Sequence, residues 1–493
     1  MTELEQHLKD VDRKKVINAV KLQLPIEVTS YTLSRNMEAY IKGVEEEFLD
    51  VCHHEHLKEY LNFCLGELLT NSKKANTKRV YFKEKGLDIN DPDDYAKGME
   101  TFKEETFNDI EHYLEMQKKH GLYVKLLLQY KRNQIIISIK NNSVLTTFEE
   151  ERINQKLQSA QQFNNMEDVV SNILDQSEGA GLGLIIILLM LEKVGLSKDN
   201  FKIYSDDKET ITQIILPCER KIAAGVEIVS YEFISMQSKI PVIQKNFDQV
   251  NKIAAQKPIN RSELAACVRK DPSLTLLAFK YALKKGSVSL NIPQAISLLS
   301  DDELSFIYSD SNPVCEFINP DKEQEKAWTH AKKSAFYAYN LYKNCNKENL
   351  SDDEEFFYTA GLLADFGKIL LLTASQEQKS YVKDLSNQYE DAAEKILDVF
   401  KLGNASNYLT YLYMKKFGFS DDIATKLSYW NEIDTLAQDK LPVEKILYLA
   451  QVMNYYDEEM VDFYQIDKEI LSEFNIFNEK QFKSVIQKLN SAM

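Results

Sequence analysis

The stretch that most constrains this chain is Glu178-Gly179-Ala180-Gly181-Leu182-Gly183-Leu184, which runs directly into an apolar segment ending at Leu191. Three glycines at alternate positions remove side chains from a turn, so backbone N–H groups can approach a ligand closely. The apolar run behind them reads as a buried helix whose positive N-terminal end faces that turn; the two together read either as a phosphate cradle or as a glycine-rich strand-to-helix turn that holds no ligand. A membrane span is the competing reading of such a run. Ten residues from Leu182 to Leu191 extend about 15 Å as a helix, half of the roughly 30 Å of hydrocarbon. Glu178 and Glu192 also bracket it closely. It is expected to be a core helix.

At 493 residues the chain exceeds one ordinary core, and two or three domains are expected. A hydrophobic share of 44% with only 15 Gly and 10 Pro describes a packed globular protein. A net charge of −16 argues against a general nucleic-acid binder, which needs a basic face for phosphates. Six cysteines without a C-x-x-C pair suit reduced thiols in a cytoplasmic setting. The first fifteen residues are charged and amphipathic and carry no signal-peptide pattern.

In chain order, residues 1–22 read as a charged helical arm, serving as a partner or dimer surface or simply solvated. Pro25 opens an extended segment, followed by helices over Met37–Leu49 and from Leu57 to near Asn76. Residues Val80–His120 read as an insertion with one or two helices. Tyr123–Tyr130 and Gln134–Ile139 alternate as a hairpin. A polar stretch with helical charge patterning over Glu149–Ala160 follows, then the glycine turn, its helix, and strands Phe201–Tyr204 and Thr210–Leu216. These alternating hairpins and helices predict a two-layer α/β sandwich over residues 23–220. An irregular or strand-like segment around Val226–Tyr231 is expected within a linker, 221–239. From Pro241 onward almost no strand pattern remains. Asp271-Pro272, Asn291-Ile292-Pro293 and a Ser351/Glu354 capping box mark helix starts, so an all-helical domain over 240–435 and a helical extension over 436–493 are expected.

Glu67, Asn71 and Lys74 stand at i, i+4 and i+7 on one helix face, with Leu61, Leu65, Leu68 and Leu69 supplying the apolar side. An acid, an amide and an amine in a row suit a magnesium-nucleotide site. The amide oxygen holds metal, the ammonium meets phosphate and the carboxylate polarises an attacking water. An exposed polar face with helical side-chain pairs is the bland alternative.

ELLTNSKKA (67–75) resembles the N-box of the GHKL superfamily, which includes gyrase, histidine kinases, mismatch-repair ATPases and the ninety-kilodalton heat-shock chaperone. EGAGLGL (178–184) resembles its second glycine box, and Thr210 or Thr212 its terminal-strand threonine. The resemblance covers roughly residues 20–220 and implies an ATP-binding sandwich. Asn71 would be the Mg²⁺ ligand and Glu67 the general base. Lys74, Gly179, Gly181, Leu182 and Gly183 would line the phosphates, and residues 143–177 would form a lid. The Asp-x-Gly core of the first glycine box is replaced by Ile139-Lys140-Asn141-Asn142-Ser143. Asn141 would then accept the adenine amino group through an uncharged oxygen, and Thr210 or Thr212 would help bind the adenine. No phosphoacceptor helix stands out: His7 and the His53/His54/His56 cluster read as surface histidines.

The helical half resembles an HDOD domain, a signalling relative of HD-type metal phosphohydrolases. The matching segments are IPVIQKNFDQV (240–250), DPSL (271–274), IPQAISLLS (292–300), AWTHAKKSA (327–335) and GLLADFGKILLL (361–372). His330 and Asp365 keep two metal-site positions, while Ala364 stands where the paired histidine is expected. His330 is also the sole histidine after His120, and Trp430-Asn431 lies near a further histidine position. A dinuclear phosphohydrolase needs several His and Asp ligands, so a silent binding module is expected, with His330 a hydrogen-bonded interior or groove residue that Asp365 helps hold. The combined reading is an α+β chain: a bacterial-type cytoplasmic signalling protein binding ATP and Mg²⁺, with an unidentified signalling partner or a second copy as its output. A Ser/Thr kinase acting in trans, resembling anti-sigma kinases, and a non-catalytic scaffold are the alternatives.

Overall fold

The computed structural model describes residues 11–131, 134–160, 182–217, 220–286, 289–345, 353–403, 405–428, 430 and 442–493. The chain divides into two compact units, Met1–Cys218 and Glu219–Met493.

The first unit contains α1 (Arg13–Leu22), β1 (Ile26–Ser30), α2 (Arg35–Val51), α3 (Lys58–Lys85), α4 (Pro92–Asn108) and α5 (Ile110–Lys119). They are followed by β2 (Val124–Lys131), β3 (Gln134–Asn141), α6 (Thr147–Ala160), α7 (Leu182–Lys193), β4 (Phe201–Ser205) and β5 (Thr210–Pro217). The strands form one antiparallel sheet in the order β1-β2-β3-β5-β4. Alternation puts Val124, Leu126 and Leu128 of β2 beside Ile135, Ile137 and Ile139 of β3 on the buried face. Against them pack Phe48 and Leu49 of α2, Leu61, Leu65, Leu68 and Leu69 of α3, and Leu184, Ile187 and Leu191 of α7. The apolar run of α7 is therefore a core helix, and its burial holds the residues just after the glycine turn against α3.

Two expectations change in this unit. The helix expected to stop near Asn76 continues to Lys85, where Gly86 (φ 63°) ends it. The extra turns persist because Val80, Tyr81 and Phe82 form a separate small core with Tyr113 of α5, so the insertion is a helical pair mounted on the prolonged α3. The described part of the amino-terminal arm is not solvated: α1 buries Val16, Ala19, Val20 and Leu22 in the main core.

The second unit begins with α8 (Arg220–Met236), β6 (Ile240–Ile243), α9 (Gln244–Ala254), α10 (Arg261–Val268), α11 (Pro272–Ala282), α12 (Ile292–Ser297), α13 (Asp301–Ile307) and β7 (Cys315–Ile318). It continues with α14 (Lys322–Asn344), α15 (Glu354–Leu363), α16 (Phe366–Thr373), α17 (Gln376–Asn387), α18 (Ala393–Leu402) and α19 (Ser406–Lys416). The last helices are α20 (Asp421–Ser428), α21 (Pro442–Asp457), α22 (Lys468–Glu473) and α23 (Glu479–Ala492). Asp271 and Asn291 cap α11 and α12 as their sequences imply. The cap of α15 is Asp353, whose side chain accepts from Phe356 N; Ser351 lies outside the described residues.

The segment expected to be irregular is α8, a regular helix. Its β-branched run imitates a strand, but Ile222, Val229 and Phe233 recur at helical spacing and are buried. It packs on α17, α18 and α19, and Gly225 provides the clearance for Ile396 of α18. A small parallel pair, β6 with β7, is the other departure from an all-helical reading. The apolar segment Glu354–Thr373 is long enough to cross a bilayer, yet it breaks at Asp365 and is packed mostly inside this unit.

Candidate functional site

On α3, Glu67 is half-buried while Asn71 and Lys74 are exposed. None of the three makes a hydrogen bond or ion pair with another described residue. Their neighbours differ. Lys73 reaches the Leu33 carbonyl at 3.3 Å and Glu38 at 3.7 Å. Lys78 and Arg79 both hold Glu149, at 2.9 and 2.5 Å. The row singled out by sequence is thus a run of free donors and acceptors, whereas the nearby Lys73, Lys78 and Arg79 are paired.

The same row meets α7. A Cβ built on Gly183 would overlap Glu67 Oε2 and lie 3.0 Å from its Cδ. Any larger residue at position 183 would push the Glu67 carboxylate aside. The helix N-terminus also favours a negative charge at this point. Gly183 and Glu67, 116 positions apart in sequence, are therefore brought together by the packing of α3 on α7. Gly179 and Gly181 lie outside the described residues, and only the helical backbone of Leu182 is described.

Asn141 and Thr210 pair in register at the ends of β3 and β5, and both are buried. Asn141 Nδ2 donates to Ser143 O at 3.3 Å and to Asn76 Oδ1 at 3.5 Å. Thr210 Oγ1 donates to Ser143 O at 2.6 Å, and Ser143 Oγ donates to Asn76 Oδ1 at 2.7 Å. Asn76 Nδ2 in turn donates to Tyr123 O at 3.0 Å. Sequence reasoning missed Asn76 and Ser143. Asn76 is five positions past Asn71 and points to the sheet side of the same helix, where a buried amide needs partners.

Glu149, near the start of α6, anchors the chain after β3 to α3. Burial favours its neutral form, but the Arg79 hydrogen bonds and the charges of Lys78 and Arg79 outweigh that and hold its carboxyl down to about 2. Arg79 also donates to Val144 O at 2.6 Å. The opposite case is Glu45 on α2, which is 1% exposed. Its Oε2 has no hydrogen-bond partner. Burial, aided by Glu46, pushes Glu45 up to about 8 despite nearby Lys42. Of the amino-terminal histidines, His54 is buried rather than superficial, with Nδ1 2.6 Å from Cys52 O; His7 lies outside the described residues.

In the second unit, His330 on α14 is 3% exposed. Its Nδ1 is 2.7 Å from Glu458 Oε1 and its Nε2 is 2.8 Å from Gln451 Oε1. Tyr455 packs on the ring with centroids 4.3 Å apart and donates its hydroxyl to Asp365 Oδ2 at 2.8 Å. Trp430 stacks on the same tyrosine. Asn454 closes the network, donating to His330 O and Ser334 Oγ at 2.9 Å each. His330 is the hydrogen-bonded interior residue expected, but Asp365 reaches it only through Tyr455. Burial works against the Glu458 charge, yet the His330 hydrogen bond and charge, with Lys368 and Lys333, leave its carboxyl below the ordinary range. Burial, with the Asp365 charge, drives the Tyr455 hydroxyl well above its ordinary range.

Both imidazole nitrogens are thus engaged by protein oxygens, the remaining acid accepts from a tyrosine, and Ala364 offers no ligand. Among the described residues no group of three His, Cys, Asp or Glu side chains is arranged to hold a metal ion. Gln451, Tyr455 and Glu458 were not legible in the sequence because α21 follows His330 by more than a hundred residues.

Residues 240–432 match the family model described as the HDOD domain. A Treponema pallidum (strain Nichols) protein described as uncharacterized is 29% identical over 487 residues, covering 98% of this chain and 94% of that protein. Among solved structures, the MmoQ response regulator fragment 20–298 of Methylococcus capsulatus str. Bath is 17% identical, covering 49% of this chain and 93% of its own, with a TM-score of 0.37. A putative signal transduction protein of Marinobacter aquaeolei VT8 is 13% identical, covering 59% of this chain and 74% of its own, with a TM-score of 0.27.

Proposed function

We propose that this chain, which carries an HDOD domain at residues 240–432, is a nucleotide-responsive signalling protein. Its first unit binds Mg-ATP on the α3 face, and its HDOD domain serves as a catalytically silent binding module. The observation that carries the nucleotide reading is the unpaired row of Glu67, Asn71 and Lys74, with Glu67 set against the side-chain-free Gly183 at the start of α7.

The donor set suits the ligand. Asn71 would hold Mg²⁺ through its amide oxygen, and Lys74 would meet a phosphate as a point charge. Gly179, Gly181, Leu182 and Gly183 would supply backbone N–H groups to the phosphates. Glu67 would accept a proton from an attacking water or hydroxyl. Bound Mg²⁺ would neutralise phosphate charge as a Lewis acid. At the far end, Thr210 and Asn141 would meet the base. Because the Asn141 amide hydrogens already serve Ser143 and Asn76, its oxygen is the atom left to accept a base amino group.

For signalling, ATP must favour one arrangement of the protein over another. The Glu149 anchor between α6 and α3 supports residues 143–160 as the root of a responsive segment. The engaged His330 and absent Ala364 ligand support the silent HDOD reading. Saturating Mg-ATP, at about 100 times its dissociation constant, should stabilise the first unit by ~2.7 kcal/mol. Differential scanning calorimetry should show this for the wild type and not for Asn71→Ala. Equal stabilisation of both proteins, or none in either, would overturn the proposal.

A further inference from the structure

A cavity of about 230 Å³ opens in the HDOD-bearing unit, lined by Ser238, Lys280, Leu283, Lys284, Lys416, Phe417 and Gly418. Three of its seven lining residues are lysines, in a chain whose net charge is −16. No carboxylate lies within ion-pairing distance of any of the three among the described residues. Lys280 Nζ sits 4.6 Å from the Phe417 ring centroid, and Lys284 Nζ 5.1 Å from that of Tyr281. An aromatic face orients an ammonium but accepts none of its N–H groups in the usual sense. Lys280 and Lys284 therefore keep unused donors.

Lys416 has a different role. Its Nζ donates to Ile234 O at 2.7 Å, Ser235 O at 3.1 Å and Gln237 O at 2.9 Å. Its three hydrogens are spent closing the C-terminal end of α8, so it gives the cavity charge without a donor. Burial, then the mutual charges of Lys284 and Lys416, lowers Lys280; burial lowers Lys416. Cations crowded around one hollow without an acid destabilise one another, and a bound anion would relieve that.

We propose that this cavity is a binding site for a small phosphate-bearing anion, with the phosphate held by Lys280 and Lys284 and any apolar remainder against Leu283 and Phe417. Its volume falls below the roughly 300–1,000 Å³ of drug-sized ligand sites, which favours inorganic phosphate or a compact phosphomonoester over a dinucleotide. This site is separate from the Glu67–Asn71 face and does not depend on it.

Both tryptophans, Trp328 and Trp430, lie in the second unit, so tryptophan-monitored melting of the full chain reads the unit concerned. Inorganic phosphate and, separately, phenyl phosphate should raise that melting temperature beyond sodium chloride of equal ionic strength. A larger response to phenyl phosphate identifies a phosphomonoester site, and an equal response a free-phosphate site. The K280Q/K284Q variant should lose about tenfold or more in apparent phosphate affinity. In low-salt buffer without phosphate it should melt no lower than the wild type, because the substitutions remove repulsion. Lys284→Glu, at an exposed position, should also weaken the response, whereas Asn71→Ala should leave it intact. A phosphate effect equal in wild type and K280Q/K284Q, or matched by sodium chloride, would overturn the assignment.

Discussion

Replacing Glu149 with Gln tests how firmly α6 is pinned to α3. The carboxylate is 12% exposed, so water screens its pairing with Lys78 and Arg79 only slightly. Its folded-state value of about 2, against the ordinary 4.5, corresponds to about 3 kcal/mol of stability at pH 7. Because the folded value is depressed, this stability is fully present above 4.5 and is lost as pH falls through 2. At pH 3 only about 1 kcal/mol should remain. Urea unfolding followed by far-UV circular dichroism at pH 7 and pH 3, with sucrose to keep the protein folded in acid, measures the gap between wild type and Glu149→Gln. The first unit has no tryptophan, so the tryptophan-detected transition should stay in place while the dichroism transition moves. A gap that is the same at both pH values, or below about 1 kcal/mol at neutrality, would refute the reasoning.

The remaining expectations concern other named groups. Glu45→Met should stabilise the first unit by about 4 kcal/mol at pH 8. A carboxyl raised to about 8 loses stability as pH climbs from 4.5 to 8, so the gain should shrink toward pH 5; a pH-independent effect would contradict the assignment. Gly183→Ala should gain about 0.5–1 kcal/mol in a Glu67→Ala background and measurably less in the wild type, where the new methyl displaces Glu67. Urea melts of the four proteins give that coupling directly. His330→Ala should cost about 2–4 kcal/mol in the tryptophan-detected transition. Mn²⁺ titrations of wild type and His330→Ala should be indistinguishable, since neither imidazole nitrogen is available as a ligand.

Much of the scaffold was legible because short-range patterns coincide with long-range packing. Alternation in Tyr123–Tyr130 and Gln134–Ile139 marks one sheet face, and the apolar run after Gly183 has to be buried somewhere. Asp271 and Asn291 mark helix starts through local capping chemistry. Failures came where local and tertiary preferences part. Val226–Tyr231 has strand-like composition, yet Ile222, Val229 and Phe233 impose a helix against α17–α19. The charged residues after Asn76 hide the Val80-Tyr81-Phe82 cluster that prolongs α3.

The candidate site divides the same way. Glu67, Asn71 and Lys74 share a helix face by periodicity alone, so their row was readable. The contact between Glu67 and Gly183 required only that α3 and α7 cover the same sheet face. Asn76 and Ser143 escaped notice because nothing local says which buried amide will meet which loop oxygen. Glu458, Gln451 and Tyr455 escaped because they reach His330 from another helix.

Calorimetric titration of the full chain with ATP, with and without Mg²⁺, tests the central claim most directly. Wild type should bind in a Mg²⁺-dependent manner. Asn71→Ala should lose the Mg²⁺ dependence, and Gly183→Ala should weaken binding through the displaced Glu67. Absence of binding by the wild type, or Mg²⁺-dependent binding unchanged in Asn71→Ala, would contradict the assignment of the α3 face as a nucleotide site.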